Sequence, residues 1–200
     1  LGHAVGLSHP GDYNATAGGV ITYGDQAAYL EDSYQYSVMS YFDESNTTSS
    51  IGGYPDTLLL HDIQALQQLY GVNYGYHAGD SVYGFNSTEY GYELTSSGMQ
   101  HDIGFVIHDT GGDDTIDFSG STHGTILDLR AGNFSSVNGH SNNVSIFDGH
   151  NADQTEYYIE TGIGSDYDDV LIGNDGDNVL DGRGGDDPRS QKPFKHAECA

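Results

Sequence analysis

Three glycines nine residues apart, Gly164, Gly173 and Gly182, constrain this chain more than any other feature. Asp169, Asn178 and Asp187 repeat with the same interval, and so do Leu171 and Leu180. A nine-residue period is the degraded form of G-G-x-G-x-D-x-U-x, the repeat of a parallel β-roll. Its glycines permit a tight turn, and its apolar U residue points inward from a short strand. Ordinary turns use the same residues, but they do not impose a common register. Departures from the consensus are visible. Ser165, Asn174 and Arg183 stand at the second position, Tyr167 at the fourth, and Arg189 where a third repeat needs its apolar residue. At most two repeats are whole, which predicts a truncated roll.

Such turns offer backbone carbonyls and carboxylates to Ca²⁺, a hard cation that takes oxygen ligands. Gly164, Asp166, Asp169, Asp175, Asp177 and Asp187 are the candidate calcium ligands of the repeats. The overall charge agrees. Five Lys+Arg against 30 Asp+Glu give a formal −25 over 200 residues. That surface repels nucleic acid and anionic lipid. The carboxylates are either solvated, as in a halophile or a disordered chain, or they bind cations. Sixteen Tyr and seven Phe argue against disorder. The sole cysteine, Cys199, leaves nothing for a disulfide framework, and no apolar run reaches the length of a membrane span.

Before the repeats the chain reads differently. Leu1–Leu7 reads as the end of a helix stopped at Gly6. Pro55–Gly71 reads as a helix capped by Asp56 or Thr57, with Leu59, Ile63, Leu66 and Tyr70 at helical spacing and Leu58, Leu60 and Leu69 widening the stripe. From Asn73 onward, short apolar runs alternate with turn residues: Ser81–Phe85, Ile103–His108, Thr115–Phe118, Thr125–Leu129 and Val144–Phe147. Pro188–Ala200 breaks the pattern, holding three of the five basic residues, and is expected to be foreign to the fold.

His3 and His9 lie six residues apart with Gly6 halfway, the second half of H-E-x-x-H-x-x-G-x-x-H. The first His and the Glu would precede Leu1. Ser37-Val38-Met39-Ser40-Tyr41 supplies a Met-turn, a soft thioether floor beneath the histidines. The runs LGHAVGLSHPGDYNA and QYSVMSYF resemble serralysins, bacterial metzincins with an appended calcium-binding β-roll (RTX) domain, and the likeness extends to about Asp187.

That resemblance implies an α+β architecture. Residues 1–72 would be the C-terminal lobe of a metzincin catalytic domain, 73–187 a truncated all-β parallel β-roll or sandwich, and 188–200 a basic tail outside it. It implies zinc on His3 and His9, with Tyr41 as an additional ligand and oxyanion donor. It implies further calcium ligands at Asp109, Gly111, Gly112 and Asp114, with Gly79 and Ser81 opposite, and at Glu160. The implied activity is endoproteolysis of proteins and peptides by a secreted, extracellular, monomeric enzyme, with a proteinaceous inhibitor as a further partner. The motif Glu would be the general base. These 200 residues contain neither that Glu nor the first His, so on their own they are expected to be inactive, with no chelator-sensitive casein hydrolysis. A non-catalytic calcium-binding β-roll module is the alternative, and an adhesive acidic repeat protein a third reading. The remaining histidines, His61, His77, His101, His108, His123, His140, His150 and His196, show no paired metal spacing.

Overall fold

Strands of two or three residues joined by turns line the second half of the molecule. The computed structural model describes residues 2–13, 19–51, 53–55, 57–95, 104–148 and 157–190, and for Arg189 and Ser190 the backbone alone. The strands are β1 (Val82–Gly84), β2 (Phe105–Ile107), β3 (Thr115–Asp117), β4 (Ile126–Asp128), β5 (Phe134–Ser135), β6 (Val144–Ile146), β7 (Thr161–Ile163), β8 (Val170–Ile172), β9 (Val179–Asp181) and β10 (Arg189–Ser190). Two short helices precede them, α1 (Tyr23–Gln26) and α2 (Leu60–Tyr70).

The nine-residue register acquires a spatial meaning here. Strands β7, β8 and β9 begin nine residues apart, yet β7 pairs with β9 and β8 pairs with β10, all in parallel. Each nonapeptide is therefore half a coil, laid alternately in a four-stranded sheet β1-β3-β7-β9 and a three-stranded sheet β10-β8-β4. The third sheet, β2-β6-β5, contains the antiparallel pair β5–β6. Ile116 and Leu180 from one wall and Leu127 and Leu171 from the other share the main core. Leu127 is fully buried. Leu127→Ala is expected to cost about 2–5 kcal/mol in urea unfolding with Ca²⁺ held constant. A loss under about 1 kcal/mol would show that the two walls do not close on this side chain.

The sequence places the five strand segments correctly but draws each one or more residues too long; Ile103 lies outside the described residues. The tail does not stand wholly apart. The Pro188 carbonyl accepts Leu171 N–H at 3.2 Å, and Arg189 pairs with Leu171 at the register position of the missing apolar residue. Parallel pairing is made by the backbone alone. Residues 191–200 lie outside the described residues.

Helix α2 begins at Leu60, five residues later than Pro55. Its first turn is closed by Asp62, which accepts Leu59 N–H at 3.0 Å. Thr57 is drawn elsewhere: its hydroxyl donates to the Leu58 carbonyl and accepts Val106 N–H. Asp56 lies outside the described residues. Leu59, Leu60 and Ile63 bury against Val106 and Phe147, with Tyr36 and Val38 packed alongside. That cluster fixes the Met-turn segment to the β half. The end of the expected stripe does not bury. Leu69 and Tyr70 are 56% and 72% exposed. The end of the helix faces the segment 5–6 instead, where Tyr70 Oη donates to the Val5 carbonyl at 3.0 Å, and Tyr70 lines an apolar groove of about 600 Å³ with Val5, Leu66, Tyr76 and Tyr90.

Candidate metal centres

One 3₁₀ turn, Gly2–Val5, carries His3 and stops at Gly6. Gly6 takes φ +91°, a left-handed value that costs other residues free energy, and this bend returns the chain toward His3. The Nε2 atoms of His3 and His9 come to 3.1 Å. Two imidazoles on one tetrahedral zinc, each about 2.0–2.1 Å from it, would stand roughly 3.3 Å apart.

The outer nitrogens make the pair more telling. His3 Nδ1 lies 3.0 Å from the Leu7 carbonyl, and His9 Nδ1 lies 2.6 Å from the Met39 carbonyl. A carbonyl only accepts, so each Nδ1 carries the proton and each Nε2 of a neutral ring is a bare lone pair. Two lone pairs pointed at each other repel. A metal ion between them, or an extra proton, makes the arrangement favourable. Carbonyl-anchored Nδ1–H groups are the common way of orienting metal-binding histidines.

Met39 is buried, with its Sδ 2.4 Å from where a Cβ on Gly2, the neighbour of His3, would sit. A side chain at position 2 would require Met39 to move. The Tyr41 ring lies 4.6 Å from His9, edge-on, and is half exposed. His3, His9, Met39 and Tyr41 are thus brought together. Three residues nearby escaped the sequence reading. Tyr13 stacks on Tyr41 at 4.7 Å. Asp32 is fully buried and accepts from Tyr13 Oη at 2.5 Å. Asp62 accepts from Ser37 Oγ at 2.7 Å and from Val38 N–H at 2.9 Å. Only Asp62 had a legible signal, as an acidic residue in the first turn of a helix.

The second centre lies where the segment 79–81 meets 109–114. Gly112 approaches so closely that a Cβ would lie 2.6 Å from the Gly79 carbonyl carbon. Asp114 accepts Ser81 N–H at 2.8 Å through Oδ1, while its Oδ2 is buried with no partner. Asp114 N–H donates to Glu160 at 2.8 Å, and Gly111 N–H to Asp109 at 2.7 Å. Burial, and then the charges of Asp109 and Glu160, push Asp114 up to about 7. Burial also raises Asp109 and Glu160.

An orphaned buried oxygen among acidic neighbours suits a divalent cation. Among the described residues, no three His, Cys, Asp or Glu side chains converge as a ready metal cage. Ca²⁺ here would need backbone carbonyls such as that of Gly79, in keeping with its mixed ligand habit. At the zinc pair, the third candidate is a phenol.

The repeat residues are placed apart from that cluster. Asp169 is buried and accepts from Thr125 N–H and Oγ1 and from Ser165 N–H and Oγ, at 2.6–2.9 Å. Asp187 accepts Asp169 N–H at 3.0 Å, bridging successive coils. Asp166 pairs with Arg183 at 2.9 Å. Gly164 is buried, and Asp175 and Asp177 are exposed.

Of the other described histidines, His77 borders the second centre, its ring reaching Asp109 through Tyr83 Oη, and the rest stand outside both. His61 pairs with Glu31 at 3.1 Å, His77 with Glu89 at 3.3 Å, and His140 Nδ1 with the Ser50 carbonyl at 2.7 Å. His123 Nδ1 contacts Thr122 at 3.0 Å. His101, His150 and His196 lie outside the described residues. His108 bonds Gln67 at 3.1 Å, and burial, assisted by His77, pushes its pKa down to about 4. Its neutral form contributes stability that is full above the unfolded value of about 6.5 and lost as pH falls through about 4. An NMR titration is expected to find this ring neutral at pH 5.5; a midpoint near 6.5 would contradict its burial.

Comparison with known proteins places these features in a lineage. A family profile described as "Peptidase M10 serralysin C terminal" matches residues 72–192. The chain is 46% identical over 172 residues to "Serralysin" of Proteus mirabilis, covering 86% of this chain and 33% of that protein. It is 45% identical to "Serralysin B" of Dickeya chrysanthemi, covering 86% of this chain and 34% of that one. It is 46% identical over 178 residues to "Metalloprotease AprA" of Pseudomonas entomophila strain L48, again covering 86% and 34%. The chain spans about a third of the length of these relatives.

Proposed function

The chain belongs to the M10 serralysin family, and from that premise we propose that it is part of a zinc metalloendopeptidase stabilised by calcium. Residues 1–72 would belong to the catalytic domain and the segment from 73 onward would be the calcium-binding β-roll. The observation that carries the zinc assignment is the 3.1 Å approach of two Nε2 atoms whose rings are each anchored through Nδ1 to a carbonyl.

His3 and His9 would hold the ion, and Tyr41 would complete the set from this chain. A zinc ion bound there supplies a Lewis acid and a water of lowered pKa. Tyr41, half exposed, would donate its phenolic proton to the oxygen of a polarised carbonyl. Donors in that role contribute about 3 kcal/mol in other hydrolases. The substrate would be a polypeptide. Among the described residues no helix is long and apolar enough to cross a membrane. Secretion is part of the proposal, because calcium sites of this kind fill at the millimolar concentrations found outside cells.

The test is proteolysis by the complete encoded protein. Casein hydrolysis is expected to be stopped by a chelator, restored by Zn²⁺, and lowered about 100-fold or more in Tyr41→Phe through kcat, with KM little changed. Hydrolysis that persists after metal removal would refute the proposal.

A further inference from the structure

Tyr41 is half exposed, and its ring stands edge-on to His9 at 4.6 Å, so other contacts must hold it there. Two contacts do so. The Tyr13 ring stacks on it at 4.7 Å with an interplanar angle of 24°. From the backbone side, Ser40 precedes it, and Ser40 Oγ accepts Phe42 N–H at 3.1 Å, closing a turn around Tyr41. Both supports end on one carboxylate. Asp32 Oδ1 accepts from Tyr13 Oη at 2.5 Å and from Ser40 Oγ at 2.7 Å, while Oδ2 accepts Ala28 N–H at 2.9 Å.

Two further facts set this bridge apart from ordinary packing. Asp32 is fully buried, and no cationic side chain is described against it, so its burial is offset by hydrogen bonds alone. Tyr13 takes φ +33°, a left-handed value that a non-glycine residue keeps only where its surroundings hold it. Asp32 grips the far end of that strained residue. A carboxylate is acceptor-only, so it turns both hydroxyls toward itself and fixes their direction.

We propose that Asp32 is the positioning residue of Tyr41, joining the segment after His9 to the Met-turn so that the phenol faces the imidazole pair. This rests on the zinc reading above. Asp62 serves the other side of the turn. It binds Ser37 Oγ at 2.7 Å, and Ser37 Oγ in turn accepts Met39 N–H at 3.0 Å, beside the carbonyl that anchors His9. The two carboxylates therefore support different ligands.

The test uses Cu²⁺ as a spectroscopic probe in the 200-residue chain. A bound phenolate gives a ligand-to-copper charge-transfer band, whereas imidazoles alone give only weak d–d absorption. Tyr41→Phe is expected to abolish the band. Asp32→Ala is expected to lower it at least about fivefold at saturating copper, with copper affinity within roughly tenfold, the lower end of what outer-shell substitutions cost. Asp32→Asn, which keeps an acceptor oxygen, is expected to restore part of it. If Asp32→Ala does not fold, Tyr13→Phe and Ser40→Ala each remove one support without opening a large cavity. Each is expected to reduce the band about twofold, and together to bring it near the Tyr41→Phe level. A band lost in Tyr41→Phe but unchanged in the Asp32, Tyr13 and Ser40 variants would overturn the role of Asp32 alone. Absence of any band in the unsubstituted chain would overturn the metal-ligand role of Tyr41, and the role of Asp32 with it.

Discussion

His9→Ala is expected to weaken zinc binding by this chain more than about 100-fold, while His61→Ala leaves it within about twofold. The first figure follows from what outer partners cost. Removing a group that merely orients a ligand weakens metal binding about 10- to 100-fold, so removing the ligand must exceed that. His9 also supplies the bond from Nδ1 to the Met39 carbonyl, 2.6 Å long, which ties the zinc segment to the Met-turn. His61 has no part in the site: its ring pairs with Glu31 at 3.1 Å. Competition with a zinc-responsive dye, with folding followed by circular dichroism, separates loss of the ligand from loss of the fold. Equal affinities for the two variants would remove the basis of the zinc assignment.

Calcium is expected to stabilise the chain by about 2.7 kcal/mol at one hundred times its dissociation constant. For a domain of this size that is roughly a 5–10 °C rise in Tm. Asp114→Asn is expected to abolish most of this gain, because its buried Oδ2 is the atom left without a partner. The effect carries a pH signature. Asp114 is raised from about 3.8 to about 7, chiefly by burial. In the calcium-free protein the native state therefore holds a proton that the unfolded chain has already lost. Relative to Asp114→Asn, stability is full below about pH 4 and falls as pH rises through about 7. His108 has the opposite sign over much of that range, so only the difference between the two proteins isolates Asp114. Ca²⁺ must displace the same proton, so its affinity is expected to rise with pH through neutrality. A pH-independent affinity, or an undiminished gain in Asp114→Asn, would relocate the calcium centre.

The parts of this structure that were legible in the sequence are those set by local chemistry. The period of Gly164, Gly173 and Gly182 predicts a coil because turn residues act within their own repeat. It does not say that successive repeats alternate between two sheets; the 18-residue offset of Thr161 and Val179 does. The spacing of His3, Gly6 and His9 predicts convergence because one glycine bend accomplishes it. Asp32 was silent because its partners Tyr13 and Ser40 lie 19 and 8 residues away, on segments without regular periodicity. Leu69 and Tyr70 continue the apolar stripe of α2 but stay exposed, since periodicity reports which face is apolar and not what packs against it. The tail misled through its charge. Arg189 looks foreign by composition, yet its backbone completes a parallel ladder that asks nothing of its side chain.

The most direct measurement is X-ray absorption at the zinc edge of the 200-residue chain loaded with one equivalent of Zn²⁺. The prediction is two imidazole nitrogens and an oxygen shell at about 2.0–2.2 Å, with the imidazole scattering halved in His3→Ala. A spectrum of oxygen scatterers only, unchanged by that substitution, would mean that the zinc sits among the carboxylates and that the paired histidines are not a metal site.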